Sequence, residues 1–155
     1  MNSVPTLAAG CLGALCLIGA YLDVRYRRLP NLLVLVTLVA GIGWGWLNHD
    51  PGWIGSALLH ALIALVVGMG LFRLGMIGGG DAKFYAAVAA WLPLKFALLM
   101  LLLVSSAGLV LALIMLARRR IVGPPKDSAS TDFRSVPYGL AIGIGAISTA
   151  VMVRL

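Results

Sequence analysis

Residues 96–117 read FALLMLLLVSSAGLVLALIMLA and stop at Arg118-Arg119-Arg120. No charge interrupts the run, and a helix of that length, rising about 1.5 Å per residue, covers the ~30 Å hydrocarbon core of a bilayer. Polar and apolar residues do not alternate along it, so it does not read as a strand of a membrane β-barrel. Working outward, similar runs fill residues 4–22, 30–47, 53–72 and 136–153, and a shorter one fills 81–92. The last crosses only if Asp81 and Lys83 belong to its helix. Leu29-Pro30-Asn31 breaks and restarts the chain, Asn48-His49-Asp50-Pro51-Gly52 has turn composition, and residues 123–132 have that of a linker. Trp44, Trp46 and Trp53 gather around the second break, as interfacial aromatics do. The 155 residues are 61% apolar and 11% charged, with a mean hydropathy of +1.03 and 19 glycines. The expected fold is therefore all-α: a polytopic membrane protein with a single bundle of about six transmembrane helices over residues 1–155 and a cytoplasmic linker at 118–135. No segment is long enough for a separate soluble domain.

Charge orients that bundle, because cytoplasmic ends of membrane helices carry the excess of Lys and Arg. With the N-terminus outside, Arg25, Arg27, Arg28, Arg73, Lys83, Arg118, Arg119, Arg120, Lys126 and Arg134 fall on the cytoplasmic side and only Lys95 and Arg154 on the other. Met1-Asn2-Ser3 has no basic side chain and the arginines follow the first apolar run, so that run is expected to be retained rather than cleaved as a signal peptide. The net charge of +7 then reflects orientation and contact with anionic lipid, and is no argument for nucleic acid.

The same topology sorts the acids. Glutamate is absent, Asp50 lies in the outer turn, and Asp127 and Asp132 lie in the linker. Asp23, at the end of the first helix, and Asp81, at the start of the fourth, are thereby expected at one depth on the cytoplasmic edge. Asp81 follows Gly78-Gly79-Gly80, a triplet that would weaken a helix without purpose. Glycines permit φ > 0 and the close approach of another chain, so they read as an opening beside a carboxylate. Two interpretations stand at this point. Asp23 can pair with Arg27 one turn on while Asp81 serves as a first-turn acid. Alternatively the two form a dyad that shares a proton, one carboxylate activating water while the other polarises a carbonyl.

Asp23 with Arg27-Arg28-Leu29-Pro30-Asn31, then Gly78-Gly79-Gly80-Asp81-Ala82-Lys83, then Val136-Pro137-Tyr138-Gly139 opening the last helix, together resemble the type IV prepilin peptidase family of GxGD intramembrane aspartyl proteases. The likeness extends over essentially the whole chain. It implies that Asp23 and Asp81 are the catalytic pair. It also implies a prepilin or pseudopilin substrate whose basic leader is removed at the cytoplasmic face of the inner membrane. Larger family members add a cytoplasmic methyltransferase region with paired CxxC motifs. No segment here could hold one, so the chain is similar to the compact, protease-only members that serve Flp-type (tight-adherence) pili. Presenilin-like relatives have a tyrosine before the first aspartate, where this chain has Leu22.

Other residues carry smaller expectations. Gly78, Gly79, Gly80, Lys83, Pro137 and Gly139 are candidates for shaping the site or meeting an extended substrate, with ordinary helix-start or inner-edge roles as the alternative. Cys11 and Cys16 are spaced for neither a disulfide nor a CxxC metal pair, so no metal and no cofactor is expected. His60 lies about 20 Å along its helix from the cytoplasmic edge, where a hydrogen bond inside the bundle is favoured over catalysis. The expected partners are the prepilin and membrane lipid. A small proton-coupled transporter and a non-catalytic membrane subunit are the competing functional classes. The first would need an ionisable group nearer the midplane, and the second leaves the triple glycine unexplained.

Overall fold

A computed structural model of the protein describes residues 3–122 and 138–153. Six α-helices follow one another: α1 (Ser3–Tyr26), α2 (Asn31–Asn48), α3 (Pro51–Arg73), α4 (Gly79–Ala89), α5 (Ala97–Val122) and α6 (Tyr138–Val153), with a 3-10 turn at Leu94–Phe96 before α5. Four segments are long and apolar enough to cross a membrane: Leu7–Tyr26, Asn31–Asn48, Pro51–Arg73 and Leu94–Arg118. The fold is the all-helical membrane bundle expected from the sequence, with α4 and α6 shorter than the rest.

Helix boundaries follow local chemistry. Pro30 stands at the N-cap of α2 and Pro51 at the first position of α3, where the missing N–H removes no helical bond. α3 ends in a Schellman turn: Gly75 has φ 74°, its N–H bonds Phe72 O at 2.9 Å, and the Met76 N–H bonds Leu71 O at 3.0 Å. Boundaries of three helices differ most from the sequence reading. α1 runs past residue 22 to Tyr26, so Asp23 lies inside its last turn. α5 continues beyond 117 through the arginine triplet to Val122, because arginine is a good helix former and suits a helix C-terminus, and no breaker occurs before Gly123-Pro124. α4 begins two residues early, at Gly79, and ends at Ala89.

The core forms around α4. Phe84, Val88, Trp91 and Leu92 are buried together with Leu12 and Cys16 of α1, Met100 of α5 and Ile142 of α6. Glycines on neighbouring helices make room for the two largest side chains. A Cβ at Gly19 would lie 2.7 Å from the Phe84 ring, and one at Gly41 would lie 2.6 Å from Trp91 Cδ1. The Trp91 indole N–H donates to Thr37 O at 2.9 Å, a bond worth about 1 kcal/mol net. α3 lies along α4, α1 and α5 lie along α6, and α2 bridges α4 to α1 and α3. Long aliphatic side chains of α5 such as Leu101, Leu102, Leu109 and Leu113 point outward. In a bilayer they would meet lipid tails, while small residues line the helix contacts.

Candidate active site

One end of the bundle collects the last turn of α1, the last turn of α3, and the first turns of α4 and α6. Asp23 reaches it from α1. Its Oδ2 accepts the Gly139 backbone N–H at 2.7 Å, one of the N–H groups at the start of α6 with no partner inside that helix. The carboxylate thus caps a second helix at the positive end of its dipole. The fit is close: a Cβ on Gly139 would lie 2.9 Å from Asp23 Cβ, 3.0 Å from Oδ2 and 3.2 Å from Cγ. α1 stops just beyond, where Arg27 takes the left-handed conformation (φ 51°) and its N–H closes on Asp23 O at 2.9 Å. The Arg27 guanidinium lies within electrostatic range of the Asp23 carboxylate.

Asp81 is the third residue of α4, after the N-cap Gly78. Its carboxylate folds back onto the Gly78 backbone, the acid half of a capping box. It is also close enough to Asp23 for the two carboxylates to repel. Both are partly buried. Asp23 and Asp81, 58 positions apart in sequence, therefore lie within electrostatic range of each other.

The triple glycine works differently from the sequence expectation. Gly78 has an ordinary φ of −73°, and among the described glycines only Gly75 has a positive φ. Left-handed backbone is thus not what the triplet supplies; close approach is. A Cβ on Gly78 would lie 2.5 Å from Asp81 Oδ2, one on Gly79 would lie 3.3 Å from the Phe72 ring, and one on Gly80 would lie 3.4 Å from Leu29 Cβ. Gly79 and Gly80 occupy the first turn of α4, where the N–H groups have no helical partner in any case. The glycines let α4 start between the end of α3 and the α1–α2 loop, and they leave space beside the Asp81 carboxyl.

Lys83 is exposed. Two positions on from Asp81, it projects from nearly the opposite side of α4. Gly139 meets Asp23 directly, while Pro137 lies outside the described residues. Cys11 is exposed and Cys16 is buried against Gly143. Among the described residues no three of His, Cys, Asp and Glu gather as metal ligands would. The sequence reading named Leu29 only within a chain break and a family motif and Phe72 only as a helix end, because their part is to wall the glycines, and apolar residues at helix ends carry no local signal for that.

Neither the curated proteins nor the solved structures compared with the chain gave a match. A family model does match, described as the type IV leader peptidase family, over residues 11–113. The matched stretch contains Asp23 and Asp81 and stops short of α6. With about two thirds of its length inside that match, the chain belongs to the type IV leader peptidase family.

Proposed function

We propose that this membrane protein of the leader peptidase family is an aspartic endopeptidase that removes the basic leader of a prepilin or pseudopilin at the cytoplasmic membrane face, with Asp23 and Asp81 as its catalytic pair. The observation that carries the reading is that these two acids lie within electrostatic range of each other at one end of an otherwise apolar bundle. In the proposed reaction one carboxylate takes a proton from water as the water oxygen adds to the scissile carbonyl carbon. The other, protonated, carboxyl donates to the carbonyl oxygen. Collapse of the tetrahedral adduct breaks the C–N bond as the departing amine takes a proton from one carboxyl and an adduct hydroxyl returns its proton to the other carboxylate, which restores the singly protonated pair. The ten-to-two distribution of Lys and Arg supports a cytoplasmic site and an external N-terminus.

A purely structural role is the competing reading, since each aspartate also caps a helix. Asparagine separates the two. It is as good an N-cap as aspartate and keeps an oxygen for the Gly139 N–H, but it neither takes up a proton nor carries charge. Asp23→Asn and Asp81→Asn should each abolish leader removal from a co-expressed prepilin while protein abundance in the membrane is retained. The double variant should be no worse than either single one, because groups acting as a unit do not lose activity additively. Leader removal at near wild-type rate by either single variant would overturn the aspartyl assignment. So would an Arg27→Gln loss equal to that of Asp23→Asn and explained by reduced protein level.

A further inference from the structure

His60 is 98% buried in the middle of α3, far along the bundle from both aspartates. Its Nδ1 lies 2.9 Å from Leu92 O. A carbonyl can only accept, so Nδ1 carries the proton in this bond. One turn before it on the same helix, the Ser56 hydroxyl accepts the Leu94 backbone N–H at 3.0 Å. Between these anchors the chain leaves α4 through a turn in which Trp91, Leu92 and Pro93 are all buried. Pro93 has no N–H, and a turn at that depth cannot satisfy its polar groups from water. Two side chains of α3 do so instead.

This matters for the far end of α4 because of how α3 and α4 touch. Near Asp81 the contact is smooth: a Cβ on Gly68 would lie 3.0 Å from Ala82 Cβ and 3.3 Å from Ala82 Cα. At Gly68 the surface permits close approach but offers no protruding side chain to resist sliding along the helix axis, and what projects nearby is the Phe72 ring over Gly79, an apolar and non-directional contact. Hydrogen bonds are directional and weaken steeply when stretched. The bonds to Leu92 and Leu94 therefore fix the axial register of α4 against α3, as the Trp91–Thr37 bond does against α2. α4 is a rigid element between them and Asp81.

We infer that His60, assisted by Ser56, is a positioning residue that holds α4 in the axial register bringing Asp81 to Asp23. The inference rests on the dyad reading for its catalytic consequence, though not for its geometric one. Slippage of α4 moves Asp81 relative to Asp23 without disturbing the bonds that fix Asp23 to α6. A misplacement of about 1 Å in a catalytic group lowers turnover by about 10²-fold.

The test separates geometry from hydrolysis. In a full-length chain carrying Cys11→Ala, Cys16→Ala, Asp23→Cys and Asp81→Cys, the rate at which a short bifunctional thiol reagent links the two introduced cysteines reports their approach. His60→Ala should slow that linkage at least tenfold, and His60→Gln, whose amide can donate to Leu92 O, should recover most of it. With both aspartates restored, His60→Ala should lower kcat about 10²-fold at an unchanged KM for prepilin. Linkage at the same rate in the His60→Ala and parent chains overturns the inference, as does a loss confined to KM or to protein level. If His60→Ala fails to accumulate in the membrane, Ser56→Ala carries the same measurement with the same criteria. Failure of the dyad reading would show separately, as activity in Asp23→Asn or Asp81→Asn, and would leave the linkage result standing.

Discussion

Replacing Gly139 by alanine adds one methyl group at the point where α6 meets Asp23. On the present backbone that carbon would sit 2.9 Å from Asp23 Cβ, 3.0 Å from Oδ2 and 3.2 Å from Cγ. Carbon atoms in good contact lie about 3.5–4.0 Å apart, so α1 and α6 must part by about 0.6–1 Å. The conflict includes Cβ itself, so a change of rotamer alone cannot relieve it. Displacement by that amount stretches the 2.7 Å bond from the Gly139 N–H to Oδ2 beyond hydrogen-bonding distance. The overpacking costs about 1–3 kcal/mol, within the 5–15 kcal/mol margin typical of folded domains, so the protein should still accumulate. Leader removal should fall about 10²-fold. The assay is the gel shift of a co-expressed prepilin, with membrane abundance measured by immunoblot. Gly143→Ala, one turn deeper on the same helix, is the control: its added carbon would meet Cys16 Cβ and O at 3.4 Å, an ordinary contact, and activity should stay within a few fold of wild type. Wild-type processing by Gly139→Ala, or an equal loss in Gly143→Ala, would refute the argument that this contact places the carboxylate.

Other expectations are simpler to check. A reporter active only in the cytoplasm should be active when inserted within residues 124–130 and silent when inserted at His49; the opposite pattern reverses the proposed orientation. Leader removal should persist in strong chelator, and in a chain with Cys11→Ser and Cys16→Ser; activity lost on chelation and restored by zinc would point to a metal mechanism instead. Trp91→Phe removes the indole N–H that meets Thr37 O and should lower the unfolding midpoint in detergent by about 2–4 °C, the shift expected for about 1 kcal/mol in a chain of this size.

Fold class was legible in the sequence because membrane insertion imposes a one-dimensional code. Runs of about 20 apolar residues, punctuated by proline, glycine and charge, mark helices whatever their tertiary neighbours. Asp23 and Asp81 were legible as candidates for a related reason. In a chain with so few acids, those at helix ends are conspicuous, and connectivity alone puts them on one side. What no one-dimensional code carries is which helices touch. That Gly139 donates to Asp23, that Gly78, Gly79 and Gly80 serve close approach with ordinary φ values, and that α4 ends at Ala89 in a buried turn held by His60 and Ser56 are facts of packing between residues as many as 116 positions apart. Local pattern placed His60 in the middle of a helix and could say only that it needs a hydrogen-bond partner. Tertiary structure supplied Leu92, because a carbonyl buried beside Pro93 needs a donor and α3 is the helix that lies against it.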